Sequence, residues 1–361
     1  MTITEADVLQ ALRKVIDPDL HKDLVTLGMI KDLQITGGNV SFTVELTTPA
    51  CPLKEEIELM CREAVGEIPG VENIAINLTA RVRPTAGRGI PSQVALEGVK
   101  NVIAIASGKG GVGKSTVSAN IACALAQSGA KVGLLDADIY GPSIPIIMGA
   151  EDEKPEVDDT KEKLIPIERY GVKIISMGFL QPGGSAVIWR GPMVAKAVQQ
   201  FLRDVLWGEI DYLIVDLPPG TGDAQLTLAQ AIPLSGAVVV MTPQDLAAAV
   251  AVKAVSMFKR LDVPILGIVE NMSYFLCPTC NSRHHIFSHG GGEQAAEALD
   301  VPFFGGIPLA LEIGAEADEG TPSVVNSPNG PYAAAFREVA ERIAAQVSIR
   351  ARSFTPLTVV K

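Results

Sequence analysis

Nine residues, Gly108-Lys109-Gly110-Gly111-Val112-Gly113-Lys114-Ser115-Thr116, carry the densest chemistry in the chain. They satisfy the spacing G-x-x-x-x-G-K-[ST], in which glycines let successive backbone N–H groups turn inward and cradle phosphate oxygens. Lys114 is placed for the β- and γ-phosphates of a nucleotide, and Ser115 for a Mg2+ ion. A helix starting at the loop adds its positive N-terminal end to the attraction. A second lysine, Lys109, directly follows the first glycine.

The flanking elements must hold that loop. Residues 101–106 form a short apolar, β-branched run that reads as a buried parallel strand. From Lys114 to Gln127 apolar residues recur at helical spacing and stop near Gly129, a helix-ending residue. Strand, loop and helix therefore come in the required order, which weighs against a plain glycine-rich turn. Two further apolar runs, 131–136 and 212–216, end in Asp136 and Asp216, and Asp138 follows Asp136 by two. A carboxylate at such a strand end can hold Mg2+ through water; a helix cap is the other common use of a lone aspartate there. Residues 217–223 (LPPGTGD) are a proline- and glycine-defined loop. Strands at 172–177, 237–242, 265–270 and 301–305 alternate with helices at 194–206, 224–231, 246–259 and 293–298. The expected class is α/β: a parallel sheet covered by helices on both faces, with ligands beyond the carboxyl ends of its strands.

Cys277-Pro278-Thr279-Cys280 is the second constellation. A C-x-x-C pair supplies two ligands, whereas an iron–sulfur cluster or a structural zinc takes four. Within one chain, His284 and His289 would complete a compressed zinc set, although three residues between cysteine and histidine is far shorter than in zinc fingers. A thioredoxin-like redox pair would open a helix after the first strand of a small fold, which this pair does not. Of the other cysteines, Cys61 and Cys123 lie in apolar helical stretches and read as core.

Residues 1–83 look like a separate small α/β domain. Thr4 can cap a helix over 5–15, strands at 30–36 and 40–47 flank a Gly37-Gly38 turn, and a helix at 52–65 precedes a strand at 71–82. Residues 84–99, with Pro84, Gly87, Gly89, Pro91 and Gly98, read as a linker, 100–350 as the nucleotide-binding domain and 351–361 as a tail. The charged stretch 151–163 reads as a solvated loop. A net charge of −11 argues against general nucleic-acid affinity. No apolar run approaches the roughly 20 residues of a bilayer span. The N-terminus lacks the basic and apolar regions of a signal peptide, so a cytoplasmic protein without membrane attachment is expected.

With Lys109 inside it, the phosphate loop resembles that of the deviant P-loop ATPases, the group of nitrogenase iron protein and of septum-site and plasmid-partition ATPases. The resemblance narrows to the Mrp/ApbC iron–sulfur carriers on residues 108–116, 136–143 (DADIYGPS), 189–192 (WRGP), 216–223, Asn271-Met272-Ser273 and the cysteine pair. Residues 17–20 (DPDL), 27–30 (LGMI) and 47–53 (TTPACPL) resemble the MIP18-type (DUF59) domain, which places Cys51 at a helix N-terminus. The resemblance implies a homodimer closing on two ATP molecules, with Lys109 reaching the partner's nucleotide. It implies that Asp138 positions the attacking water, that Ser115, Asp136 and Asp216 serve Mg2+, and that Asn271 reads adenine. It further implies that Cys277 and Cys280 of two subunits share a [4Fe–4S] cluster passed on to apo-proteins, with slow ATP hydrolysis regulating the exchange. The alternative is a partition- or septum-type regulatory ATPase with structural zinc at the cysteine pair. Clients, the coupling of ATP to release, and the parts played by Cys51, His284, His285 and His289 are left open by the sequence.

Overall fold

The computed structural model describes residues 3–85, 96–139, 141–158, 160, 162–180, 191–277, 279–280 and 282–353. The middle of the expected linker, Tyr140, Trp189, Arg190, Pro278 and most of the expected tail lie outside the described residues. The chain divides into two compact units, Met1–Arg83 with Ala344–Lys361, and Pro84–Ile343. The sequence reading draws its breaks after residues 83, 99 and 350, whereas residues 344–350 group here with the small unit.

In the small unit, α1 (Glu5–Leu12) opens on a capping box. Thr4 Oγ1 accepts from the Asp7 amide at 3.3 Å, and Asp7 Oδ2 accepts from the Thr4 amide at 3.0 Å. The helix ends three residues earlier than expected because Lys14 and Val15 donate to the carbonyls three residues back, tightening the last turn. Strands β1 (Ile30–Thr36) and β2 (Asn39–Leu46) pair antiparallel, and β2 pairs in parallel with β3 (Asn73–Ala80). Gly37, at φ 60°, makes the β1–β2 turn. Alternate β2 residues Val40, Phe42, Val44 and Leu46 are buried. They pack on Val8 and Leu12 of α1 and on Ile57, Cys61 and Val65 of α2 (Lys54–Gly66).

The large unit is built on an eight-stranded sheet. Its strands are β4 (Val99–Ser107), β5 (Val132–Asp136), β6 (Ile167–Arg169), β7 (Val172–Ser176), β8 (Ile210–Asp216), β9 (Gly236–Met241), β10 (Ile265–Glu270) and, after the hairpin strands β11 (Phe275–Leu276) and β12 (Arg283–His284), β13 (Phe303–Gly306). The order is β6-β7-β5-β8-β4-β9-β10-β13, parallel throughout except for the edge pair β6–β7. Every residue of β5, β8, β9 and β10 is buried, so both faces of the sheet centre are covered, as expected for helical crossovers. Those crossovers include α3 (Lys114–Gln127), α5 (Gly191–Asp204), α6 (Asp223–Ala231), α7 (Asp245–Arg260) and α8 (Gly291–Leu299). Short helices α4 (Ile144–Ile147), α9 (Leu311–Asp318) and α10 (Ser323–Asn326) follow β5 and β13. The charged stretch expected to be loop contains a two-stranded ribbon, Glu156–Asp158 with Lys163–Ile165. Among the described residues no helix is long and apolar enough to cross a membrane. The 23-residue α11 (Pro331–Ser353) begins in this unit and finishes in the small one.

Candidate functional site

β4, β5 and β8 run side by side and end together, so their last residues and the loops beyond them share one edge of the sheet. β4 leads into the phosphate loop, where Gly111 and Gly113 both take φ 77°. Only glycine enters that left-handed region without strain, which is why the spacing demands it. The loop backbone lines a cleft of about 430 Å3 together with Asp138, Ile146, Pro219, Gly314 and Ala317. Lys109, Lys114, Ser115 and Thr116 lie on its wall. The predicted phosphate-loop residues from Lys109 to Thr116 and Asp138 are therefore brought to one cleft.

Lys114 is buried and its Nζ lies 2.7 Å from Oδ2 of the fully buried Asp216. Ser115 Oγ donates to the same oxygen at 2.6 Å, and Ser118 Oγ to Oδ1 at 2.6 Å. An ammonium and two hydroxyls thus compensate a carboxylate that solvent does not reach, the condition under which such a charge persists. Ser118 was not foreseen. The signal was available, since it follows Lys114 by one helical turn and so shares its face of the helix.

Asp136 pairs in register with Asp216 across β5 and β8. Its carboxylate accepts from the Asp138 amide at 3.0 Å, Ser176 Oγ at 2.9 Å and the Ile144 amide at 3.3 Å. Burial and the neighbouring Asp216 charge push its pKa up to about 7, against the pull of Lys114 and of the hydrogen bonds from Asp138 and Ser176. Asp138 faces the cleft and is held by the Gly141 amide at 3.3 Å.

Asn271 sits directly after β10, and its Nδ2 donates to the Val112 carbonyl at 2.8 Å. A Cβ on Gly113 would come within 2.2 Å of that nitrogen. The carboxamide is buried and committed to the phosphate-loop backbone, so in this structure it braces the loop.

The cysteine pair caps a separate feature. β11 and β12 form a hairpin closed by the Cys277 amide donating to the Ser282 carbonyl at 3.0 Å. The Arg283 guanidinium stacks 3.8 Å from the Tyr274 ring and fixes the hairpin base. Cys277 is half-buried and Cys280 exposed. Cys280 Sγ lies 3.0 Å from Ser282 Oγ, which lies 2.8 Å from His284 Nε2. His285 and His289 stack on each other with ring centroids 4.0 Å apart. Among the described residues no three cysteine, histidine or acidic side chains converge as a metal set. The one-chain zinc site of Cys277, Cys280, His284 and His289 is therefore not assembled; His284 is turned to a serine and His289 to a histidine. By contrast Cys61 and Cys123 are buried, with thiols pushed up to about 12, and are inert core as expected.

Residues 98–344 match the sequence model of the NUBPL iron-transfer P-loop NTPases, and residues 5–76 that of an iron–sulfur cluster assembly protein. The chain belongs to the NUBPL iron-transfer P-loop NTPase family. A relative from Deinococcus radiodurans, named iron-sulfur cluster carrier protein, is 48% identical over 349 residues, covering 97% of each chain. Among solved structures, a nucleotide-binding protein from Archaeoglobus fulgidus in complex with ADP is 43% identical, with a TM-score of 0.58. That match covers 66% of this chain and 92% of the other. The cell division ATPase MinD of Pyrococcus furiosus is 24% identical with a TM-score of 0.52, covering 67% of this chain and 98% of the other, a likeness of fold alone. As a member of this P-loop NTPase family the chain is an ATP hydrolase, and the septum-type alternative is not favoured.

In the family's small unit, Cys51 does not open the helix as expected. The helix begins at Lys54 with Leu53 as its cap, so Cys51 stands outside the first turn, where the dipole effect has faded. It lines instead a narrow cleft with Asp17, Asp19, Thr48, Ser348 and Ile349. The last two come from the end of α11, a contribution that residues 1–83 alone could not reveal.

Proposed function

We propose that this chain is an ATP-hydrolysing carrier that binds a [4Fe–4S] cluster on Cys277 and Cys280 of two copies and passes it to apo-proteins in the cytoplasm. The observation that carries the reading is the accessible hairpin cysteine pair: two thiolates per chain, four per homodimer, the number such a cluster takes. The kinship with named cluster carriers and the small iron–sulfur assembly unit support it.

The nucleotide chemistry follows from the cleft. ATP phosphates entering the glycine cradle compete with Asp216 for Lys114, because the ammonium cannot hold both at contact distance. Ser115 and Asp216, hard oxygen donors already 2.6 Å apart, suit Mg2+, which would neutralise phosphate charge there. Asp136, behind them, tightens that shell. Asp138 faces the cleft and orients the attacking water. Lys109, on the cleft wall, reaches across to the partner's nucleotide, so the full charge set forms only on dimer closure and hydrolysis is slow.

The test is anaerobic reconstitution with iron and sulfide, followed by iron, sulfide and zinc analysis of wild type and of Cys277→Ala/Cys280→Ala. About four irons and four sulfides per dimer, absent from the double variant, is the expected result. One zinc per chain without iron uptake would overturn it.

A further inference from the structure

The two cysteines of the hairpin are not equivalent. Cys280 is exposed and stands 3.0 Å from Ser282 Oγ, whose other neighbour is His284 Nε2 at 2.8 Å. Ser282 has one hydroxyl proton and two neighbours. A thiolate bound to iron has no proton to give, so when Cys280 is a ligand a hydrogen bond between the two needs the Ser282 O–H to point at its sulfur. The serine oxygen then accepts, and only an N–H at His284 Nε2 can donate to it. His284 thereby sets the direction of the serine proton. Cross-strand pairing of His284 with Phe275 fixes the backbone that carries the imidazole.

A hydrogen bond donated to a thiolate takes up part of its charge. The sulfur becomes a weaker donor to iron and a better leaving group, and the cluster becomes easier to reduce. Resting on the carrier reading above, we infer that Ser282, oriented by His284, makes Cys280 the ligand that lets go first when the cluster is handed on. Ser282 and His284 are positioning residues: neither touches iron, and both act through the Cys280 sulfur.

The experiment uses full-length, cluster-loaded protein. In Ser282→Ala, loading stays at wild-type stoichiometry, transfer to an iron chelator slows on the order of fivefold, as the loss of one charge-assisted hydrogen bond predicts, and the cluster's reduction potential falls. His284→Ala reproduces both effects, whereas Ser282→Thr, which keeps the hydroxyl, and His284→Gln, which keeps an N–H donor, restore them. Iron uptake with unchanged transfer and potential in Ser282→Ala overturns the assignment and leaves the carrier reading standing. No iron uptake by wild type overturns the carrier reading itself.

Discussion

Lys114, which should grip phosphate, is 2.7 Å from Asp216, which should serve the metal, and water reaches neither side chain freely. Each is the other's counter-ion until nucleotide and cation arrive together. Lys114 and Asp216 therefore offset each other's charge, and binding nucleotide and cation is an exchange of partners.

Lys114→Ala removes one side of that pair and leaves a buried carboxylate with only hydroxyl donors. Tight ATP binding is lost, and the nucleotide-free protein loses about 3–5 kcal/mol of stability. Calorimetric binding and denaturant unfolding read the two effects. Undiminished ATP affinity would contradict the assignment of Lys114.

Lys109→Ala leaves the cradle and its buried pair untouched. Nucleotide binding to the monomer survives, while ATP-driven dimerisation and hydrolysis fall by at least tenfold. Sedimentation with a slowly hydrolysed ATP analogue and steady-state phosphate release are the measurements. Hydrolysis at the wild-type rate would mean that the lysine does not act across subunits.

Asn271→Ala leaves the buried Val112 carbonyl without its donor, which costs about 1–3 kcal/mol. Because the lost contact is to the loop and not to the base, ATP and GTP affinities should weaken alike, by about tenfold. Loss confined to ATP would instead assign the carboxamide to adenine.

Asp136 gives a pH signature. Its pKa is raised to about 7, so it binds a proton as pH falls through that value, and a protonated carboxyl is a poor partner for Mg2+. Mg2+-dependent ATP affinity should be full at pH 8 and about tenfold weaker at pH 6, as expected when one proton competes at a site of that acidity. Titrations of Mg2+ at the two pH values decide it; equal affinities would place Asp136 outside the metal shell.

Much of this was legible beforehand. β10 and α3 have the bounds that their periodicity gives, because runs such as residues 265–270 are apolar on both faces and the glycine–lysine spacing fixes where a helix must start. The parts that escaped have weak local signals. β6 is three residues long and antiparallel, β11 and β12 are two each, and α9 carries Gly314 in its interior. The Lys114–Asp216 pair escaped for another reason: both side chains read locally as binding an absent ligand, and only the fold puts them on each other. Ser282 and His284 hid in the same way. Ser282 is no part of a ligand pattern and His284 reads only as a member of a compressed zinc set; their meaning lies in a bend that sets three side chains in a row.

The passage of α11 from one unit into the other has a consequence for synthesis. Ser348 reaches the Thr47 carbonyl at 3.5 Å and Arg352 the Leu27 carbonyl at 3.3 Å. Those partners leave the ribosome before any of the NTPase unit, and residues 344–353 only after all of it. Domains are generally completed in order of translation. Here a segment made before the NTPase unit is finished after it, and the wall beside Cys51 closes only when residues 345–349 arrive.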